Sequence, residues 1–368
     1  MKKTKVHLIA AARPNFMKIA PLYHALKATD WCHVEVVHTG QHYDVNMSEV
    51  FFEQLGLPAP DYHLGVGSGS HAEQTGGVMI AYEQVCTDHA PDWIIVVGDV
   101  NSTAACSLVG TKMGIPVVHL EAGLRSGDRR MPEEINRLVT DAIADVLWTP
   151  SPDANENLAA EGVDARKIDL IGNIMIDSFE MMRPQIEAAS ARTDLGLTKN
   201  DYALVTLHRP SNVDCKETLE PIVDELTGIS SRLQVVFVAH PRTISSLESF
   251  DLSRRLKAEN GVHLLDPLPY VDFMNMVIGA KVVITDSGGL QEETTYLGIP
   301  CLTLRENTER PITVTQGTNK LVDAASLSGC LERIVANDWP TGQRPELWDG
   351  NTASRAVECL RRRVQARP

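Results

Sequence analysis

Short apolar, β-branched runs alternate with longer amphipathic segments of helical period along this sequence. Nine runs stand out: "VHLIAAA", "HVEVVHTG", "DWIIVVGD", "PVVHLEAG", "IDLIGN", "YALVTLH", "LQVVFVAH", "KVVITDSGG" and "PCLTLR". Strands that are buried on both faces are continuously apolar, and their alternation with helices is typical of parallel sheets covered on both sides. The pattern therefore predicts an α/β protein built from doubly wound, Rossmann-like sheets.

The length of 368 residues is too great for one ordinary core and predicts two domains of roughly 150 to 200 residues each. A polar helical stretch separates "LIGNIMIDSF" from "YALVTLHRP". We place the N-terminal domain at 1–176 and the C-terminal domain at 177–350. The last segment, 351–368, reads as a helix that begins with a turn near Asp349, carries arginines in its last turns and packs back on the N-terminal domain.

Composition excludes several classes of protein. A net charge of −14 argues against a nucleic-acid surface, which needs a basic stripe. No apolar run approaches the roughly 20 residues that a bilayer requires. The N-terminal apolar stretch is short and runs directly into Arg13 and Lys18, so we interpret it as a first strand of a cytoplasmic protein and not as a signal peptide. The seven cysteines contain no C-x-x-C pair and are expected to be free, packed thiols.

Polar residues follow nearly every predicted strand. In open α/β sheets, ligands bind outside the carboxyl ends of the strands. A single polar residue there is ordinary for a loop, but acids, histidines and arginines at the edges of both sheets predict two domains that face each other across a ligand-binding cleft. These residues are Arg13, the "TGQH" stretch at 39–42, Asp99, Glu121, His208, Arg209, His240, Arg242 and the "DSGG" stretch at 286–289.

The stretch "TDSGGLQEE" is the most informative of these strand ends. Ser287, Gly288 and Gly289 end a strand and open a helix, where free N–H groups and the helix dipole favour an anion, most simply a diphosphate. Glu293, one turn later, is suited to accept hydrogen bonds from ribose hydroxyls. The alternative is a tight turn leading into a solvated helix.

Cofactor motifs are missing from the sequence. No G-x-G-x-x-G stands between a strand and a helix, and there is no Walker A sequence, so neither NAD nor ATP is indicated. "HLE" at 119–121 matches half of a zinc-deaminase signature without its P-C-x-x-C partner. We expect neither a cofactor nor a metal.

Several motifs together resemble the non-hydrolysing UDP-N-acetylglucosamine 2-epimerases. They run in order from about residue 6 to 322: "ARPNFMKIAPL", "HTGQHYD", "GDVNST", "HLEAGLRSGDRRMPEEINR", "LHRPSNVD", "AHPR", "LPYVDFM", "TDSGGLQEE" and "ENTERPITVTQGTNKLV". The resemblance implies a GT-B-like fold, a homodimer, and interconversion of UDP-GlcNAc and UDP-ManNAc. The implied chemistry is an anti elimination of UDP to 2-acetamidoglucal, followed by re-addition of UDP with C2 inverted.

The resemblance also assigns roles to individual residues. Asp99, Glu121 and Glu133 form the acidic cluster that handles the sugar, and a protonated His208 stabilises the charge that grows on the departing UDP. The neighbouring Glu134 lies about 100° further round the predicted helix and is expected to face elsewhere. The remaining implied contacts to UDP are made by Arg13, Lys18, Ser287, Gly288, Gly289, Glu293, Arg310 and Tyr270; Tyr270 would lie beside the uracil, although it could equally be a packed aromatic.

The sequence departs from the family pattern at two places. The spacing between "RSGD" and "MPEE" is shorter than in members with an "LYSPWPEE" type of sequence, which predicts a different loop path for Glu133. Many bacterial members bind a second, activating UDP-GlcNAc with the help of an Arg-Gln pair, where this chain has "GVGSGSHAEQT". Gln41, His42 and His240 are the residues that remain as candidates for such an allosteric site.

Related activities stay open at this point. A 2-epimerase for a UDP-2,3-diacetamido-uronic acid would share the motifs, and Arg129 or Arg130 could bind the additional carboxylate. A hydrolysing epimerase would release free ManNAc. A GT-B glycosyltransferase would share the fold and the UDP site but transfer the sugar to an acceptor, and a nucleotide-sugar sensor would bind without turnover.

Overall fold

The computed structural model describes residues 3–11, 13–40, 52 and 54–366. The chain forms two compact units, one made of Met1–Met181 with Glu346–Pro368 and the other of Met182–Pro345. These boundaries fall about five residues from the predicted positions at 176 and 350. Each unit contains one parallel sheet with helices, so the predicted α/β class with two Rossmann-like domains is confirmed.

The first unit is built on a sheet with the strand order β3-β2-β1-β4-β5-β6-β7, in which all paired strands are parallel. Within the described residues its strands are β1 (Thr4–Ala10), β2 (Cys32–His38), β3 (Tyr62–His63), β4 (Trp93–Val97), β5 (Val117–Leu120), β6 (Val146–Thr149) and β7 (Ile168–Leu170). Its helices are α1 (Arg13–Lys27), α2 (His71–Asp88), α3 (Asn101–Lys112), α4 (Pro132–Ile143) and α5 (Pro152–Ala160), with a 3-10 turn at Ala165–Lys167. The next helix, α6 (Ile174–Ala188), begins in this unit and ends in the second.

The second unit is built on a sheet with the strand order β10-β9-β8-β11-β12-β13, and its paired strands are also parallel. Within the described residues its strands are β8 (Tyr202–Thr206), β9 (Gln234–Val238), β10 (Val262–Leu265), β11 (Val282–Thr285), β12 (Cys301–Leu304) and β13 (Asn319–Val322). Its helices are α7 (Ala191–Asp194), α8 (Pro210–Val213), α9 (Lys216–Ile229), α10 (Pro241–Ser249), α11 (Leu252–Ala258), α12 (Tyr270–Val277), α13 (Gly288–Leu297), α14 (Ile312–Thr315) and α15 (Ala324–Val335).

The central strands are buried on both faces, as their continuous apolar runs predict. Every residue of β4, "WIIVV", is buried, and Ile94 is paired with Val117 of the neighbouring β5. Helices on both sides exclude water from such strands, so the β-branched side chains pack without polar alternation. Each sheet therefore forms the centre of its own hydrophobic core.

The strand order reverses at one place in each sheet. In the first sheet the chain moves outward from β1 in both directions, and β1 is paired with β4; in the second sheet the corresponding pair is β8 and β11. At such a reversal the connecting helices leave toward opposite faces and open a crevice at the carboxyl ends of the two strands. In each sheet, the topology alone therefore predicts that ligand-binding residues follow these strands.

The C-terminal segment returns to the first unit. Its helix α16 (Thr352–Gln365) packs against α1. The Asp177 carboxylate accepts the backbone N–H groups of Thr352 at 3.1 Å and Ala353 at 2.7 Å, which satisfies two donors of the first helical turn. The buried Trp348 indole donates a hydrogen bond to the carbonyl of Pro150. These contacts stabilise the end of the chain on the first sheet.

Two smaller predictions can also be compared with the structure. All seven cysteines are described and free, and every one except Cys215 is buried, so the predicted packed thiols are confirmed for six of them. No helix among the described residues is both long and apolar enough to cross a membrane.

Candidate functional site

Glu121 follows β5 directly and adopts an unusual backbone conformation. Its φ of +71° lies in the left-handed region, which residues other than glycine rarely occupy and which persists only where the surroundings hold it in place. The side chain is buried, and Lys18 Nζ donates a hydrogen bond to Oε2. The other oxygen, Oε1, is buried and has no hydrogen-bond partner among the described residues. A strained, buried carboxylate with one unused oxygen is typical of a site that acts on a ligand.

Asp99 lies next to Glu121, at the end of the adjacent strand β4. Gly98, which precedes Asp99 in the chain, lies close to Glu121. A Cβ at Gly98 would lie 3.4 Å from both Glu121 Oε2 and Lys18 Nζ. The Asp99 carboxylate is about one-third exposed, at 34%, and accepts a hydrogen bond from Arg137 Nη1. The structure thus brings Asp99, Glu121 and Lys18 to one edge of the first sheet.

The two adjacent glutamates of "PEEINR" lie in different environments on α4. Glu133 is exposed on the first turn, whereas Glu134 is buried and accepts the N–H groups of Ser126 at 3.0 Å and Gly127 at 2.9 Å. Burial alone would raise the pKa of Glu134, but these N–H groups and Arg137 hold it below its usual value. Glu134 therefore lies inward, where Arg137 pairs with both Glu134 and Asp99. Its role in fixing the loop before the helix was not predicted, although the Glu-x-x-Arg spacing is a signal for the ion pair with Arg137.

In the second sheet, Asp286 organises the ends of β8 and β11. It is fully buried and accepts the backbone N–H groups of His208 and Arg209 at 2.9 to 3.1 Å and the side-chain amide of Asn212 at 3.0 Å. His208 Nδ1 donates to Asp286 Oδ1 at 2.8 Å. Burial by itself would raise the pKa of Asp286, but His208 and the N–H donors hold it below its usual value. The ionised carboxylate fixes the imidazole of His208, whose ring is about half exposed.

The "SGG" stretch begins α13 at the same edge. Ser287 is the N-cap residue, its hydroxyl makes no capping bond, and Gly288 and Gly289 open the helix. A Cβ at Gly288 would lie 2.6 Å from Arg310 Nη1, whereas a Cβ at Gly289 would meet nothing within 4 Å. Arg310, which also pairs with Glu292 and Glu309, therefore lies directly against the helix N-terminus. A guanidinium beside free N–H groups forms a favourable place for phosphate oxygens.

Adding a methyl group at Gly288 should disrupt this arrangement. Gly288→Ala is expected to weaken UDP binding by about tenfold, since displacing Arg310 removes one charge-assisted contact. Titration calorimetry with UDP measures the effect. Gly329→Ala is the matched control, because Gly329 is an exposed glycine of α15 with open space around it. Equal UDP affinity of both variants and the wild type would show that Arg310 does not bind the diphosphate.

Tyr270 and Glu293, both predicted to contact the nucleoside, lie together. The Tyr270 hydroxyl donates to Glu293 Oε1 at 2.7 Å, and the glutamate is buried. Burial raises the pKa of Glu293 to about 7; the bond from Tyr270 acts in the opposite direction, and the neighbouring Glu292 adds to the increase. A buried glutamate with a raised pKa lowers the stability of the folded protein when it is ionised. Such a residue is typical of a site where the carboxylate is needed for binding.

The stability of the protein should therefore depend on pH through Glu293. Because its pKa is higher in the folded state, the folded state binds more protons than the unfolded state between about pH 4.5 and 7, and stability falls as pH rises through this range. Glu293→Gln removes this pH-dependent loss of stability. The free energy of unfolding of the variant minus that of the wild type should therefore increase by about 2 to 3 kcal/mol from pH 5 to pH 8. Urea unfolding at both pH values measures it, with the exposed Glu332→Gln as control. A difference that does not change with pH would contradict this account.

The positions of the remaining predicted residues say less about their roles. Arg13 begins α1, at the end of β1. His240 is the N-cap residue of α10, and its ring centroid lies 6.2 Å from that of His208. Gln41 and His42 lie outside the described residues. Among the residues that are described, no group of three or more His, Cys, Asp or Glu side chains is arranged to hold a metal ion.

Comparisons with known proteins show which family this chain resembles. Residues 24–361 match the family model of UDP-N-acetylglucosamine 2-epimerase. The chain is 43% identical to the UDP-N-acetylglucosamine 2-epimerase of Methanocaldococcus jannaschii, over 86% of this chain and 88% of the relative. It is 41% identical to the UDP-2,3-diacetamido-2,3-dideoxy-D-glucuronate 2-epimerase of Pseudomonas aeruginosa, over 87% of this chain and 89% of the relative.

A solved structure is similar over almost the whole length. The crystal structure of the Methanocaldococcus jannaschii UDP-GlcNAc 2-epimerase in complex with UDP-GlcNAc and UDP superposes with a TM-score of 0.87 at 39% identity. The match covers 98% of this chain and 100% of that chain. The similarity confirms the predicted GT-B-like fold class. With the family model matched along most of its length, this chain belongs to the UDP-N-acetylglucosamine 2-epimerase family.

Proposed function

We propose that the protein interconverts UDP-GlcNAc and UDP-ManNAc without hydrolysis. The observation that carries the proposal is that each unit presents its own set of reactive groups at the carboxyl ends of its strands. The first sheet presents a buried acid with an unused oxygen, Glu121, beside Asp99 and Lys18. The second presents a helix N-terminus with an arginine and an oriented imidazole. Such a set suits a reaction that moves a proton and releases a diphosphate.

The acids act on the sugar in this proposal. One carboxylate removes the C2 proton while the bond between C1 and the UDP oxygen breaks with anti geometry, which leaves 2-acetamidoglucal and UDP. UDP then adds back to C1 and a proton returns to C2 on the opposite face, so atoms and charge balance over the cycle. Asp99 and Glu121 are the candidates for proton transfer, and Glu133 stays a prediction. Lys18, paired with Glu121, orients that carboxylate.

The second unit holds the leaving group. His208 is fixed by Asp286 through Nδ1, so its other ring nitrogen can donate to the diphosphate as negative charge develops. The N–H groups of the α13 N-terminus and Arg310 hold the expelled UDP for its return. Glu293 accepts hydrogen bonds from the ribose, and Tyr270 lies on the uracil side.

Turnover of UDP-GlcNAc in D₂O tests the proposal. We expect the UDP-ManNAc that forms, and the UDP-GlcNAc that re-forms, to carry deuterium at C2, measured by loss of the C2 proton signal in NMR. Free ManNAc released with stoichiometric UDP would instead indicate a hydrolysing enzyme. Transfer of the sugar to an acceptor without inversion at C2 would indicate a glycosyltransferase, and binding without turnover would indicate a sensor.

A second substrate is supported by the relative from Pseudomonas aeruginosa, which is named for a diacetamido-glucuronate. A uronate would require an additional cation, and Arg129 and Arg130 are exposed in the loop before α4. Arg130 is paired with Asp128, whose carboxylate partly compensates its positive charge. We therefore favour UDP-GlcNAc, and parallel incubations with both nucleotide sugars would decide by the ratio of their rates. A homodimer is part of the proposal and can be measured by light scattering.

A further inference from the structure

A buried imidazole connects the two strand ends that carry Asp99 and Glu121. His119 lies in β5 with no exposed surface. Its Nε2 donates to the carbonyl oxygen of Gly98 at 2.8 Å, and its Nδ1 donates to Asp141 Oδ1 at 2.6 Å. Gly98 immediately precedes Asp99. The histidine therefore holds the end of β4 from within β5.

Asp141 continues the connection to the loop after Glu121. Its Oδ2 accepts the backbone N–H of Gly123 at 3.0 Å and pairs with Arg125 Nη1 at 2.7 Å. Burial alone would raise the pKa of Asp141, but His119 and Arg125 hold it below its usual value. Asp141 belongs to α4, so one carboxylate connects this helix with the segment from Glu121 to Gly123.

The donors and acceptors of this network require a specific arrangement. A carbonyl oxygen and an ionised carboxylate can only accept, so both ring nitrogens of His119 must donate. A buried group with both of its bonds fixed in this way cannot turn, and the atoms it holds are fixed with it. His119 contacts the Gly98 carbonyl directly and the Gly123 N–H through Asp141, so the pair reaches the backbone at both strand ends.

The backbone of Glu121 needs such support. Its left-handed φ is unfavourable for a residue other than glycine, and the strain persists only where neighbouring contacts hold the backbone in place. Ala122 donates its N–H to the carbonyl of Trp148, and Gly123 donates its N–H to Asp141. The network thus provides one of the hydrogen bonds that hold the residues immediately after Glu121.

From this geometry we infer that His119 and Asp141 are positioning residues of the 2-epimerase reaction, which fix Asp99 and Glu121 relative to each other. The inference rests on the proposed function. Neither side chain touches the sugar. They act by holding the carbonyl of Gly98 and the N–H of Gly123, and with them the two carboxylates, in the geometry that proton transfer needs. A displacement of about 1 Å at such a centre lowers the rate by about 10²-fold.

Kinetics of three variants test this role. His119→Ala removes both bonds, His119→Gln is designed to retain a donor toward Gly98, and Asp141→Asn weakens the bond to His119 and Gly123. We expect kcat to fall by about 10²-fold in His119→Ala with KM and UDP affinity changed by less than about threefold. His119→Gln should recover part of kcat. If kcat falls only in proportion to the folded fraction of each variant, His119 has a merely structural role, and the inference is overturned.

His7→Gln is the matched control for loss of a buried histidine. His7 is also fully buried in the first sheet and bonds to Tyr82 and Glu35, but to no residue at the catalytic edge. It should lower the melting temperature while kcat per folded molecule stays unchanged. A fall in kcat as large as that of His119→Ala would also contradict the inference.

Hydrogen exchange separates this inference from the proposed function. Exchange at the Gly123 amide should accelerate by at least about tenfold in Asp141→Asn and in His119→Ala, compared with His7→Gln. If the wild type does not epimerise any nucleotide sugar, the proposed function fails, and with it the role in 2-epimerisation. If the wild type is active and neither kcat nor Gly123 exchange responds, only the positioning role fails.

Discussion

Replacing Glu121 with glutamine should lower the rate of epimerisation by about 10³-fold, within the range that a general acid or base contributes. The amide preserves the size of the side chain but cannot take the C2 proton. The bond from Lys18 to Oε2 can be kept by the amide oxygen, so folding should be little affected. Steady-state kinetics, with UDP affinity measured in parallel, show whether the loss lies in kcat.

Two related variants make this result specific. Asp99→Asn should cause a comparable loss, whereas Glu156→Gln, an exposed carboxylate on α5, should cause none. Glu133→Gln decides the open role of Glu133, which is exposed in this structure. If Glu121→Gln retained more than about a tenth of wild-type kcat, Glu121 could not be a general base or acid of the reaction.

Replacing His208 with glutamine should lower kcat by about 10²- to 10³-fold, the usual effect of losing one donor to a developing negative charge. His208 is oriented by Asp286, and glutamine cannot carry the positive charge that the imidazole can. Because the charge on the UDP oxygen grows as the C1 bond breaks, kcat should fall more than KM rises.

The control for His208 is His263→Gln in the same unit, a partly buried histidine of β10 that bonds to Gln234. It should leave kcat within about twofold of the wild type, well below the effect of a lost transition-state donor. Asp286→Asn should reproduce part of the His208 defect, since it removes the charge that orients the imidazole. A His208 variant that loses UDP affinity and kcat equally would indicate a binding contact without a special role in the transition state.

Much of the fold was predictable because its signal is local. Continuous apolar runs such as "WIIVV", rich in β-branched residues, favour strands buried on both faces, and their alternation with helical segments favours parallel sheets. The helix that begins at Thr352 was likewise predicted from the turn before it and from the arginines in its last turns. The predicted boundary at 176 falls inside α6, which continues across that position without a local break.

The candidate site was predictable as a set of residue types but not as a set of contacts. That Tyr270 and Glu293 would meet through a hydrogen bond could not be derived, since they lie on different helices, α12 and α13. The two glutamates of "PEEINR" are neighbours in sequence, yet one is exposed and the other is buried against Arg137. Helix phase predicts that they diverge, but not which of them faces inward.

Sequence by itself determined the class of fold, the strand ends at which chemistry is concentrated, and the family, because each depends on residue types at short range. Only the tertiary structure decided the electrostatics of the site. It placed Lys18 on Glu121, Arg137 on Asp99, and Asp286 under His208, through pairs separated by 38 to 103 positions in the chain. Charges and hydrogen bonds act through distance in space, and in a doubly wound sheet that distance is set by the order of the strands, which brings remote segments to one edge.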